Sequence, residues 1–133
     1  MGRFDGPVRL LVLGGTAFLS RAVAEEAVRD GHDVTCACRG SAPLPPGARH
    51  LWFDRTAASA ADVLLDEYDA VVDIATRPSW VRSAVAATPG AHWVYVSTVS
   101  VYQESYPPGG RPETLPVVDP VADDVDLATN LEA

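Results

Sequence analysis

Long apolar runs are missing from this chain. Nowhere do about 20 apolar residues follow one another, the length a membrane-crossing helix needs, so no membrane span is expected. The opening stretch MGRFDGPVR lacks the apolar core of a secretory leader, and the expectation is a cytoplasmic protein. Basic side chains are scarce: 10 stand against 18 acidic ones, a formal net charge of −8 on 133 residues. A field of that sign disfavours nucleic acid and anionic lipid as partners. It still leaves room for a small basic site that takes one phosphorylated ligand. Lysine is absent altogether, so every basic residue is an arginine.

Cysteine is nearly absent too. Cys36 and Cys38 stand two apart in a strand-like stretch, which puts both side chains on one face. Neighbours of that kind are poorly placed to bridge, so free thiols and a reducing compartment are expected. No further ligands lie near them in sequence. His32, His50 and His92 are scattered without metal spacing, and no metal site is expected. Internal repeats are also missing.

What is present is alternation. Val8–Leu13 is short and apolar, as suits a strand buried on both faces. Phe18–Asp30 repeats its apolar residues at helical spacing and stops at Gly31. His32–Cys38 reads as a second strand, Arg39–Arg49 as a Pro/Gly-rich loop, and His50–Phe53 as a short third strand. A helix over Ala57–Glu67, a strand over Ala70–Ala75, a helix over Pro78–Ala87 and a strand over Trp93–Ser97 follow. Pro78 falls in the first helical turn, where its missing N–H costs nothing. This pattern predicts an α/β fold: a Rossmann-type doubly wound parallel sheet of five strands in the order 3-2-1-4-5. The expected organisation is a dinucleotide-binding domain over residues 1–102. An irregular, proline-rich, acidic segment over 103–133 follows it.

The stretch LVLGGTAFLSRAV carries the first functional signal. A dinucleotide loop uses one glycine for a tight turn, a second for close approach of the pyrophosphate and a third for helix–strand packing. Gly14 keeps the first task, with Gly15 beside it, while the small residues Ala17 and Ser20 take the other two. Gly14, Thr16, Ala17, Phe18 and Leu19 are therefore candidate cofactor contacts, with phosphate held at the helix N-terminus. At the end of the second strand an acid selects NAD, and a basic residue accommodates a 2′-phosphate. Arg39 stands there, followed by Gly40, with Arg49 and Arg55 as further phosphate candidates. NADP(H) is the expected cofactor ahead of NAD(H). Asp73, inside an apolar strand, reads as a satisfied interior acid, with a general-base role as the alternative. Trp80 and Arg82 read as helix packing, with a place at the nicotinamide end as the alternative.

Taken together, these residues resemble the short-chain dehydrogenase/reductase superfamily in its extended or atypical branch, the epimerase/dehydratase-like reductases. VLGGTAFLSRAV is similar to the family's glycine-rich start, and CRG to the end of its second strand. FDR resembles the segment whose acid, here Asp54, contacts adenine, with Arg55 next to it. VVDIAT resembles the fourth strand, which passes Ile74, Ala75 and Thr76 along the cofactor. YVSTVSVY resembles the fifth-strand signature, which implies a cofactor-side Ser97 and makes Thr98 the catalytic hydroxyl, orienting a carbonyl or sugar substrate.

The family's acid–base pair, Tyr-x-x-x-Lys, has no counterpart here. There is no lysine, and none of Tyr68, Tyr95, Tyr102 and Tyr106 begins the motif. The resemblance thus implies the N-terminal, NADP(H)-binding half of an oxidoreductase, incomplete relative to the family and inactive alone. Its substrate would be met through a missing C-terminal part. The expected topology, with no sixth strand to cover the fifth, leaves a bare edge through which copies are expected to self-associate. The alternatives are a dinucleotide-binding or sensor module without turnover, and an RNA-associated relative, against which the charge counts.

Overall fold

The computed structural model describes residues 6–103, 108–120 and 124. The chain divides into two compact units, Met1–Val96 and Ser97–Ala133. The first unit holds β1 (Arg9–Leu13), α1 (Phe18–Arg29), β2 (Asp33–Cys38), β3 (Arg49–Trp52), α2 (Ala60–Val63), β4 (Ala70–Asp73), α3 (Pro78–Ala87) and β5 (His92–Tyr95). All five strands run parallel in one sheet, in the order β3-β2-β1-β4-β5. This is the Rossmann-like α/β architecture that the alternation of strands and helices predicts.

β1 is central because its sequence is apolar on both faces. Leu11 and Leu13 pack with Phe53, Leu64, Val71 and Ala84 on one side of the sheet. Leu10 and Val12 pack with Ala24, Ala27, Val34 and Cys36 on the other, where α1 lies on β1 and β2. Successive strand residues point to opposite faces, so one five-residue strand anchors both layers. Fully burying a side chain of this size contributes about 1.5–3 kcal/mol. Both cysteines are free, Cys36 buried and Cys38 half-buried. Burial raises the Cys36 thiol to about 11.

Most element ends fall within a residue or two of the expected ones, and α3 matches in full. Three differences have local causes. The expected helix over Ala57–Glu67 is a single turn, Ala60–Val63. Ahead of it the chain winds around Asp54, whose carbonyl accepts the N–H groups of Ala57 and Ala58, both at 3.0 Å. The Ser59 hydroxyl then caps the turn by accepting the Asp62 N–H at 3.3 Å. Past its end, Leu64 turns into the core while Leu65 is left exposed. β4 stops at Asp73 rather than Ala75 because the Asp73 carboxylate accepts the Ala75 N–H at 3.0 Å and turns the backbone out of the ladder. β5 stops at Tyr95 rather than Ser97, with one further bond from the Val96 N–H to the Asp73 carbonyl at 2.9 Å.

In the second unit, a 3₁₀ turn spans Val99–Val101, and Tyr102 pairs with Val117 in an isolated antiparallel bridge. Residues 108–120 carry no helix or longer strand. Residues 104–107, 121–123 and 125–133, with Tyr106 and the chain end from Asn130 among them, lie outside the described residues.

Candidate ligand cleft

The glycine loop after β1 is built around two positions whose backbone conformation disfavours any side chain. Gly15 has φ of +107°, and a Cβ there would lie 2.5 Å from the Cys36 sulfur. Gly14 has φ of +123°, and a Cβ would press on the Ser20 hydroxyl at 3.1 Å. The loop is tied down at both ends. The Gly14 N–H donates to the Ala37 carbonyl at 2.9 Å, fixing the loop to the end of β2. The Gly15 N–H donates to the Ser20 hydroxyl at 3.0 Å, and that hydroxyl donates to the Ala17 carbonyl at 2.9 Å. Ser20, which reads as a third glycine replaced, is a buried brace that holds the turn shut.

α1 begins without a side-chain cap, since Ala17 offers no acceptor. The N–H groups of its first turn therefore have no partner along the helix. They carry the partial positive charge of the helix end. Phe18, at the start of the helix, has φ of +24° and is almost wholly exposed.

A cleft of about 230 Å³ opens beside this loop. It brings together five of the residues expected from sequence: Gly14, Thr16, Arg39, Asp54 and Arg55. Cys38, Ser41, Phe53, Thr56 and Trp80 also line it, and of these only Trp80 had drawn attention as a candidate. Arg39 and Gly40 form a turn after β2. A Cβ at Gly40, where φ is +73°, would come within 2.9 Å of the His50 ring, which itself bonds the Cys38 carbonyl at 2.9 Å. Arg39 is exposed beside the cleft. Asp54 is held below the usual carboxylate range, first by the Thr56 hydroxyl at 2.6 Å, then by the Thr56 N–H at 2.9 Å, with the charge of Arg39 adding a smaller part.

Arg55 is engaged elsewhere than in the loop. Its guanidinium makes a two-pronged contact with Asp73, at 3.1 and 2.8 Å, with side-chain exposures of 13% and 0%. It also lies over the rings of Phe53 and Trp80, at 5.9 and 5.7 Å, and Arg77 lies over Trp80 at 5.2 Å. Asp73 is the satisfied interior acid of the sequence reading.

Other expected residues stand apart from the cleft lining. Ala17, Phe18 and Leu19 continue the loop into α1, and Leu19 is exposed. Ile74, Ala75 and Thr76 follow β4, where the Ala75 carbonyl accepts the Tyr95 hydroxyl at 2.8 Å. Ser97 and Thr98 belong to the second unit, where the Thr98 hydroxyl accepts the Ser100 N–H at 3.3 Å and so opens the 3₁₀ turn. Arg49 pairs with Asp33 at the start of β2, at the far end of the strands from the cleft. Among the described residues, no cluster of three or more metal-binding side chains occurs, and no helix is long and apolar enough to cross a membrane.

No family model matches the chain, and a search of curated proteins finds no relative.

Proposed function

We propose that this chain is the NADP(H)-binding half of an oxidoreductase, of the carbonyl reductase or epimerase-like kind. The observation that supports the reading is one convergence. Gly14 and Thr16 of the glycine loop and the exposed Arg39 line one cleft at the C-terminal ends of β1 and β2, and the uncapped start of α1 follows directly on that loop. That is where ligands bind in doubly wound sheets. The residues suit the adenosine end of a dinucleotide: Asp54 for the base, Arg39 for a 2′-phosphate and the first turn of α1 for the pyrophosphate. The cleft is small beside the roughly 300–1,000 Å³ of a whole ligand pocket, which also suits one end of a long ligand. Bound NADP(H) would supply the hydride, and the resemblance gives Thr98 the orienting hydroxyl.

Fluorescence or calorimetric titration with NADPH and NADH tests this. A charge-assisted contact from Arg39 to phosphate is worth about 1.5–3 kcal/mol, or one to two decades in favour of NADPH. Arg39→Asp should reverse the order. Equal affinity for the two cofactors would overturn the NADP(H) assignment.

A second reading, a dinucleotide-binding or sensor module, is favoured by the absence of lysine, which removes the family's Tyr–Lys proton relay from this chain. NADPH consumption with a panel of carbonyl compounds separates the two, and the chain alone should show none. Self-association through β5, an edge strand of the first unit's sheet with Val94 and Tyr95 half-exposed, belongs to the same proposal and is read by light scattering.

A further inference from the structure

Arg55 follows β3 and Asp73 ends β4, two strands that are not neighbours in the sheet. β3 and β4 are three places apart in the sheet, and the Arg55 side chain ties the segment after β3 to the end of β4. The carboxylate is fully buried and its partner nearly so. A bare carboxylate there would be costly in itself and would repel any phosphate brought to the adjoining loop. The fork removes that charge: the Nη1 and Nη2 groups face the two oxygens, and the Ala75 N–H takes one oxygen as well. Guanidinium has five N–H donors, so after this pairing three remain, none backed by an unbalanced charge. Phe53 and Trp80, which the guanidinium overlies, hold its plane in the cleft wall. Arg39 differs: it is exposed, its charge reaches Asp54 only as a weak electrostatic effect, and among the described residues it has no ion-pair or hydrogen-bond partner.

We propose that the Arg55–Asp73 pair is a charge-neutral wall of the cleft, in which Asp73 acts as a positioning residue that withholds Arg55 from phosphate, so that Arg39 alone decides between 2′-phosphorylated and unphosphorylated adenosine ligands. The proposal rests on the nucleotide reading above. Arg55 contributes shape and neutral hydrogen-bond donors, which both ligand classes use equally. Arg39 contributes charge, which only one class uses.

The experiment is calorimetry of the full chain with adenosine 2′,5′-bisphosphate and with 5′-AMP, at two salt concentrations. The unmodified protein should prefer the bisphosphate by about tenfold or more. Arg39→Ala should bring the two within about twofold. Arg55→Met combined with Asp73→Asn, which keeps the wall neutral, should weaken both by similar factors and keep the preference. Asp73→Asn alone serves if the double variant does not fold. It keeps the shape but frees the Arg55 charge, so the bisphosphate should bind a few-fold tighter with a steeper dependence on salt. A preference that collapses in the double variant, or an Asp73→Asn protein with unchanged affinity and salt dependence, overturns the assignment while leaving the nucleotide site standing. An unmodified protein that binds neither probe overturns the nucleotide site and this inference with it.

Discussion

The two ends of the sheet are built from the same residue types and put them to different use. At the C-terminal end, the ion pair Arg55–Asp73 is buried and two-pronged, and the backbone is forced into conformations only glycine tolerates. At the N-terminal end, Arg9 pairs with Asp69 and Glu67, and Arg49 with Asp33, all in water. Two clefts of about 530 and 500 Å³ lie there, each larger than the one beside the glycine loop. Their linings include Asp33, Asp66, Glu67 and Asp69 against Arg9 and Arg49, an acidic balance that repels anions. Size marks out the N-terminal end; backbone strain and buried charge mark out the other.

The largest expected effect breaks the buried pair. Arg55→Met leaves the Asp73 carboxylate sealed from water with only the Ala75 N–H, and should cost about 3–5 kcal/mol in chemical denaturation. A loss below about 1 kcal/mol would mean that the pair behaves like the exposed ones at the other end.

Next in size is the glycine loop. Gly15→Ala puts a methyl group 2.5 Å from the Cys36 sulfur at a backbone angle that alanine rarely adopts. The expected cost is about 1–3 kcal/mol, with loss of nucleotide binding. Gly31, where φ is +84° and a Cβ would meet nothing within 4 Å, is the control. Gly31→Ala should be milder because it pays for backbone strain alone. Equal losses at the two sites would show that the contact with Cys36 is irrelevant.

Much of this contrast was legible in the sequence, and what was not has identifiable reasons. Strand order followed from the alternation of short apolar runs with helical patterns, because parallel crossovers leave few arrangements. Gly14, Thr16, Arg39 and Asp54 could be placed on one cleft because they sit at strand ends, and strand ends in such a sheet converge. Three features escaped. Ser20 reads as a defect in a glycine pattern, yet its hydroxyl takes over the Gly15 N–H, which only coordinates reveal. Arg55 reads as a free cation, because its partner is 18 residues away on a strand that is not its neighbour. The α2 region reads as a long helix, because its apolar spacing is helical while the Asp54 turn and the Ser59 cap shorten it locally.

A smaller effect of opposite sign lies at the N-terminal end. The Tyr68 hydroxyl is buried and has no hydrogen-bond partner among the described residues. Burial foremost, and then the charge of Asp66, raise its pKa, so it remains a phenol that lacks an acceptor. Tyr68→Phe should therefore gain about 1 kcal/mol. A loss of stability would show that the hydroxyl is bonded after all, through water or through residues beyond those described.

The smallest expected effect concerns Asp69, the exposed counterpart of Asp73. Its carboxylate takes the Arg9 side chain at 3.2 and 3.0 Å and the Arg9 N–H at 2.7 Å, and these contacts, the side-chain bond first, hold it below the usual value near 3.8. A carboxylate whose pKa is lower folded than unfolded adds stability above the unfolded value and loses it as the pH falls through the folded one. The contribution is therefore present at neutral pH and disappears in acid, below about pH 4. Water surrounds the pair, so the effect is small and salt weakens it further. Asp69→Asn should leave the denaturation midpoint at pH 7 close to that of the unmodified protein and make the fall between pH 5 and pH 3 slightly shallower. A loss at pH 7 as large as that of Arg55→Met would mean that burial is not what separates the two ends of the sheet.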